Sequence, residues 1–371
     1  MTLTAFTVRD RVVIAVALGF SGLAGAASLA GWGSTFAFFA SAIALAGVAA
    51  LVGRSVDALA SRLGPAKTGI VQSAVGNLPE LFVCIFALQA GLFTVVQSAI
   101  VGSVLANVLL VLGAAFIVGG VRHGSQRFDA YEARRIGILL LLAVSVLAFP
   151  TLTDALHTPA DGHEREFSIV VAIALMALFL LAMLASIRSS AKTQGESQPG
   201  PVRSGEAQAA IGHAEGPAAW PFGLGLVMLL VAGTLAAFVS DWFVDALTPT
   251  MDSLGIPEAF AGLVIVAIAG NAVENFVGIS LAARNQPDFA LQVTLQSPLQ
   301  VVMFVAPVLV LAAPLVGAAA FTLVLSPLLV CSLLLAAIIA MFIMYDGESN
   351  WLEGAMLVTL YAAIAAAFWW G

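Results

Sequence analysis

The stretch Gln72-Ser73-Ala74-Val75-Gly76-Asn77-Leu78-Pro79-Glu80 sets a carboxylate three residues after a Gly-Asn pair, inside an otherwise apolar run. The arrangement returns at Ala269-Gly270-Asn271-Ala272-Val273-Glu274. Of the 371 residues, 61% are hydrophobic and only 9% charged, and mean hydropathy is +1.05. Soluble globular chains average about 25% charged residues, so this composition is that of a polytopic membrane protein. An ionisable side chain at membrane depth is costly and marks an ion or proton pathway. Two such sites in corresponding halves point to the midplane site of a transporter built from inverted repeats.

A membrane span needs about 20 apolar residues. The sequence on that measure predicts eleven helices, at 11–31, 34–60, 66–90, 94–120, 134–152, 167–187, 219–247, 257–284, 288–316, 319–345 and 351–370. Gly64-Pro65, Pro249, Pro287 and Asp346-Gly347 supply turn chemistry at the boundaries. The expected fold class is an all-α polytopic membrane protein. Its parts are an extra N-terminal helix (1–32), a five-helix repeat (33–187), a cytoplasmic linker (188–218) rich in Ser, Gly, Gln and Pro, and a second five-helix repeat (219–371). Glu274 stands 194 residues after Glu80, Asn271 194 after Asn77 and Ser297 194 after Ser103. Val56-Asp57-Ala58-Leu59 likewise recurs as Val244-Asp245-Ala246-Leu247. Five is odd, so two such units in series cross the membrane in opposite senses, which is an inverted repeat. Arg9 and Arg11, ahead of an apolar run reaching Ala24-Gly25-Ala26-Ala27, have the look of a signal peptide. That run continues to Ala30, long enough to span, and is read as a retained helix.

Orientation follows from Lys and Arg. With the N-terminus inside, the inner segments carry Arg9, Arg11, Arg62, Lys67, Arg122, Arg127, Arg134, Arg135, Arg188, Lys192, Arg203 and Arg284. The outer loops carry Asp154, Asp161, Glu164, Glu166 and Asp252, with Arg165 the one clear outer cation. The N-terminus is therefore expected in the cytoplasm and the C-terminus outside, in a bacterial inner membrane. Against that pattern the net charge of −7 carries little weight. Trp369 and Trp370 read as an interface belt. The expected partners are the lipid bilayer and the transported ions, with no nucleic acid; a homo-oligomer is left open. Cys84 and Cys331 both lie in apolar runs and are expected to be buried, too few for a disulfide framework or thiolate metal site.

On a helix Asn77 and Glu80 share a face, as do Asn271 and Glu274. Gly76 and Gly270 let backbones approach, and Pro79 is expected to free a carbonyl one turn earlier. The product is a pocket of two carboxylates, two Asn carbonyls and unwound backbone oxygens. Such ligands suit a hard dication: Ca²⁺ accepts about six to eight oxygens at variable geometry, whereas Mg²⁺ keeps its waters. With no His or Cys nearby, Zn²⁺ and Cu²⁺ are disfavoured. Two ionised glutamates in a low-dielectric cavity repel each other and are poorly solvated. One dication neutralises the pair and two protons do so equally well, so exchange follows if both loads compete for the same oxygens.

Ser103 and Asn107 follow the first glutamate across a hairpin, and Ser297 and Gln300 follow the second. The serine hydroxyls can equally bond their own helix backbone, while amides at mid-membrane need partners. The expected ion ligands are thus Glu80, Glu274, Asn77, Asn271, Ser103, Asn107, Ser297 and Gln300, with Glu80 and Glu274 also binding protons. No catalytic residue and no cofactor is expected, since a metal-dependent hydrolase would need His- or Asp-rich motifs absent from these spans. Asp241 and Asp245 suit helix-end solvation or an outer vestibule. Glu258 after Pro257 suits a helix start. His157, His163 and His213 fall in loops.

These residues resemble the Ca²⁺:H⁺ antiporter (cation/proton exchanger) family of the sodium/calcium exchanger superfamily, over nearly the whole chain. The resemblance rests on Gly76-Asn77-Leu78-Pro79-Glu80-Leu81, Gly102-Ser103-Val104-Leu105-Ala106-Asn107, Gly270-Asn271-Ala272-Val273-Glu274 and Ser297-Pro298-Leu299-Gln300. Asp346-Gly347-Glu348-Ser349-Asn350-Trp351-Leu352-Glu353-Gly354 adds to it. It implies one extra helix plus two inverted five-helix repeats, and glutamates at 80 and 274 that alternately bind Ca²⁺ and protons. It implies exchange of cytoplasmic Ca²⁺ for external H⁺ by alternating access. A Na⁺(or K⁺)/H⁺ antiporter and a Na⁺-coupled Ca²⁺ exchanger are the alternatives. Three departures stand out: Asn275 where the family usually has His, Gln296-Ser297-Pro298-Leu299-Gln300 for Gly-Ser-Ser-x-Gln, and a short mixed linker where relatives often have an acidic one. Sodium-coupled relatives carry Gly-Thr-Ser in place of Gly-Asn, so its absence argues for protons.

Overall fold

The computed structural model describes residues 6–158, 162–193, 220–319 and 321–370, without the side chains of 9, 60–74 and 186–193. The first half comprises α1 (Val8–Ala30), α2 (Ser34–Val75), α3 (Leu78–Gln89), α4 (Phe93–His123), α5 (Ala130–Ala155) and α6 (Glu164–Thr193). The second half comprises α7 (Phe222–Leu254), α8 (Glu258–Gly270), α9 (Ala272–Ala283), α10 (Pro287–Val316), α11 (Pro327–Ile343) and α12 (Trp351–Trp370). Two two-residue strands, β1 (Gln126–Arg127) and β2 (Glu348–Ser349), pair antiparallel.

Among the described residues, eight helices are long and apolar enough to cross a membrane, or nine with α8 and α9 taken as one span bent by 65°. Two shorter apolar helices, α3 and α11, accompany these eight or nine, where the sequence predicts eleven spans. The chain is an all-α integral membrane protein. The pairing of β1 and β2 brings the connection after α4 against the connection after α11.

Several boundaries differ from expectation. Helix α2 runs through Gly64-Pro65, where a turn is expected. Apolar surroundings leave backbone groups no partner but each other, and interior prolines are accommodated there by local adjustment. Pro249 likewise lies inside α7, which ends five residues later at Leu254 on a left-handed Gly255. The helix expected at 319–345 begins only at Pro327, behind a Ser326 cap whose hydroxyl accepts from Leu329 N–H. Before it, the backbone N–H groups of Leu323 and Leu325 donate to Ser168 and Thr151, an extended course that a helix would forbid. The linker expected from 188 starts later, since α6 continues to Thr193; residues 194–219, with His213, lie outside the described residues. Cys84 is buried as expected, but Cys331 is exposed, on a face of α11 open to the apolar surroundings.

The helices sort into two packed groups. α1, α2 and α7 lie against one another, with Gly47 close to the Ala17 backbone and Gly25 under the Trp242 ring. Small residues at such crossings are how membrane helices approach closely. The three meet at Asp10, 1% exposed, whose carboxylate accepts from Arg54 Nε at 2.7 Å and Trp220 Nε1 at 3.2 Å. The second group holds α4, α5, α6 and α8–α12, in which α4 crosses α8 at Gly102 and Gly262 and crosses α12 at Gly113 and Gly354. α3 bridges the groups, packing on α7 and on α4.

Candidate ion-binding site

The two Gly-Asn motifs fall at two helix breaks. Asn77 (φ −93°, ψ 16°) separates α2 from α3, and Asn271 (φ −105°, ψ 16°) separates α8 from α9. Both sit in the sparsely populated bridge region, and neither side chain caps its own helix. Glu80 and Glu274 therefore stand at the third position of a new helix, in the first turn of α3 and of α9. A half-helix N-terminus inside a membrane protein favours negative charge there. Pro79 differs from expectation: it sits in the first turn of α3, where its missing N–H removes no helical bond. Its carbonyl instead accepts from Ser240 Oγ at 3.4 Å, tying α3 to α7.

The breaks aim the amides across the molecule. Asn77 Nδ2 donates to Gln300 Oε1 at 2.9 Å. Asn271 Nδ2 donates to Ser103 Oγ at 2.9 Å and to the Ala267 carbonyl at 3.0 Å. Its Oδ1 accepts from Ser297 Oγ at 3.0 Å and from Asn107 Nδ2 at 3.3 Å. Asn107 also donates to the Ser103 carbonyl at 2.9 Å, at the start of the π turn Ala106–Val111. A matching π turn, Val301–Val305, follows Gln300 on α10; such turns recur at functional sites. Each half thus contributes residues to the other half's break.

Glu80 is 4% exposed, and its carboxyl lies alongside Ser103 and Asn271 and within electrostatic reach of Glu274. A Cβ on Gly270 would come 3.6 Å from the Glu80 Cβ, so glycine keeps the backbone of one half beside the carboxylate of the other. Glu274 is half-buried, with Oε2 buried. Glu80 Oε2, Glu274 Oε2 and Asn107 Oδ1 are buried oxygens with no hydrogen-bond partner. Buried polar atoms left unpaired in this way call for an ion or water. Ser103, Asn107, Asn271 and Ser297 thus form one hydrogen-bonded cluster between the halves beside Glu80, with Glu274 within electrostatic reach, while Asn77 and Gln300 pair with each other across the halves. Among the described residues no group of three His, Cys, Asp or Glu is assembled, so any ion held there would rely on amide and hydroxyl oxygens beside the two carboxylates. Ser240 was not singled out by the sequence; one hydroxyl among several in a largely apolar helix is its only signal. Outside the cluster, Asp245 is exposed and lines a cleft of about 390 Å³ with Ser28, Ser34 and Trp242. Glu258 occupies its expected helix start.

Comparison with known proteins then places the chain. The profile of the family described as "Sodium/calcium exchanger protein" matches residues 33–188 and again 224–370. The chain belongs to that family. Among the family's members, a protein of Aphanothece halophytica named Ca(2+)/H(+) antiporter is 32% identical over 346 residues, 91% of either chain. The Ca(2+)/H(+) antiporter ChaA of Bacillus subtilis (strain 168) is 32% identical over 344 residues, 92% of this chain and 94% of its own. The solved structure of native YfkE superposes with a TM-score of 0.78 at 27% identity, covering 97% of this chain and 100% of the other.

Proposed function

We propose that this protein is a secondary active transporter that exchanges cytoplasmic Ca²⁺ for external protons by alternating access. The observation that carries the reading is the convergence of Glu80 and Glu274, each in the first turn of a half-helix, with buried carboxylate oxygens lacking a partner. Two carboxylates balance one dication or two protons, and the same oxygens cannot hold both loads. Asn107 Oδ1 adds a neutral oxygen, and waters complete the six to eight that Ca²⁺ takes. The relatives named Ca(2+)/H(+) antiporter support the same ion pair. The protein is a carrier without a cofactor and not an enzyme; Ca²⁺ and H⁺ are its cargo.

The separate family matches at 33–188 and 224–370, and the equivalent breaks at Asn77 and Asn271, support two five-helix repeats of opposite sense after an N-terminal helix. The distribution of Arg and Lys supports a cytoplasmic N-terminus in a bacterial inner membrane. Single cysteines introduced at Gly91 and Gly124, after Cys84→Ser and Cys331→Ser, would label from outside and inside respectively; the reverse would overturn the orientation.

The test of function is ⁴⁵Ca²⁺ uptake into proteoliposomes under an imposed proton gradient, with Na⁺ and K⁺ gradients as controls. Proton-driven uptake that Glu80→Gln and Glu274→Gln each reduce to background is the expected result. Uptake with a Na⁺ gradient alone would move the protein to the sodium-coupled branch, and no Ca²⁺ flux under any gradient would sink the assignment.

A further inference from the structure

Sequence symmetry makes Asn77 and Asn271 equivalent, and both were expected to offer a carbonyl oxygen to the ion. Their bonding is not equivalent. A side-chain amide has two N–H donors and an oxygen with two lone pairs. At Asn271 all four are engaged: the nitrogen donates to Ser103 Oγ and the Ala267 carbonyl, and the oxygen accepts from Ser297 Oγ and Asn107 Nδ2. The side chain is 1% exposed, so no water competes for these positions. The Ala267 carbonyl, one turn back, accepts the backbone N–H of Asn271 at 3.2 Å as well as its side-chain amide. The Asn271 side chain lies alongside the Glu80 carboxyl with its oxygen turned to Ser297 and Asn107. The oxygen beside it that remains open is Asn107 Oδ1, whose own nitrogen is fixed by Asn271 and by the Ser103 carbonyl.

We infer that Asn271 is a positioning residue and not an ion ligand: it fixes Ser103, Ser297 and Asn107 so that the Asn107 carbonyl oxygen faces the ion. The inference rests on the Ca²⁺/H⁺ reading above and adds a division of labour that the repeat symmetry hides. Asn271 ends α8, joins residues of α4 and α10, and acts on the ion only through them. Breaking it should loosen the Asn107 oxygen, with the same consequence for Ca²⁺ as removing that oxygen outright.

The experiment is a double-mutant cycle on proton-driven ⁴⁵Ca²⁺ uptake in proteoliposomes, with KM and maximal rate measured for wild type, Asn107→Ala, Asn271→Ala and the double variant. Each single change is expected to raise KM for Ca²⁺ by about tenfold, and the double to exceed the larger single by no more than about twofold, because one residue acts through the other. Multiplication of the two effects to about 100-fold would mean that both touch the ion independently, and would overturn the inference. So would an unchanged KM in Asn271→Ala. Where the alanine variant does not fold, Asn271→Ser keeps one donor and an acceptor, and the cycle is run with Asn107→Ser; the same non-additivity is required. A wild type that carries no Ca²⁺ overturns the functional reading and this one with it. Normal wild-type uptake with multiplied losses overturns this one alone.

Discussion

Gln300 has no charge, yet its oxygen takes the Asn77 amide across 223 positions of sequence. Gln300→Leu removes that acceptor and leaves a buried N–H pair short of a partner, at a cost of about 1–3 kcal/mol in stability. Thermal unfolding in detergent should show the loss, and KM for Ca²⁺ should rise because Asn77 leads directly into Glu80. A stable variant with unchanged KM would remove Asn77 from the site. A second residue-scale expectation concerns pH. If Glu80 and Glu274 carry either load, protons compete with Ca²⁺, so apparent Ca²⁺ affinity in wild type falls as pH falls. Measured as Ca²⁺ binding to purified protein across pH, that dependence should flatten in Glu80→Gln, which has one fewer proton to exchange. The carboxylates were legible in the sequence because a charge in an apolar run has few reasons to be there. The choice of amide partners was not, because Asn77 with Gln300 and Asn271 with Ser103 are contacts made only when the two halves meet.

At the scale of elements, the crossing of α4 with α12 is set by glycine. A Cβ on Gly113 would stand 2.7 Å from the Gly354 carbonyl oxygen, where backbone cannot yield as a side chain can. Gly113→Leu is therefore expected to destabilise by at least about 3 kcal/mol, beyond ordinary overpacking, or to prevent folding. Gly53→Leu is the control, since nothing lies within 4 Å of its Cβ position. Equal melting temperatures for the two variants would contradict the crossing. Most helices were legible because a span has a required apolar length. The failures have a common cause: Pro65 and Pro249 were read as stops, a rule that water enforces and an apolar environment relaxes. The late start of α11 was hidden for the opposite reason, since residues 321–325 are apolar but for Thr322, and their backbone is held by Gln97, Thr151 and Ser168 from other helices.

Over the whole molecule, two side-chain stitches close opposite ends of the same group of helices. At the end where β1 and β2 pair, Gln126 Nε2 donates to the Ala282 carbonyl at 3.1 Å and to Asn285 Oδ1 at 2.9 Å. At the opposite end of α4, Gln97 Nε2 donates to the Thr322 and Val324 carbonyls at 3.1 and 2.9 Å. The connection after α4 is thus bonded to the second half, and the connection after α10 to the first. α1, α2 and α7 are tied separately, by Asp10, Arg54 and Trp220. Gln126→Leu and Gln97→Leu each remove two hydrogen bonds and should cost about 1–3 kcal/mol. The stitches stand a full length of α4 apart and share no partner, so the double variant should lose the sum within about 0.5 kcal/mol. Arg54→Ala leaves the Asp10 carboxylate buried without its cation and should cost about 3–5 kcal/mol, more than either glutamine. None of the three touches the ion cluster, so KM for Ca²⁺ in variants that fold should stay within about twofold of wild type. The maximal rate divides them: Arg54→Ala, which frees α1 from α2, should lower it, whereas the glutamine changes lie within one packed group and should not. A rate loss in the glutamine variants equal to that in Arg54→Ala would mean that the two groups do not move as separate bodies.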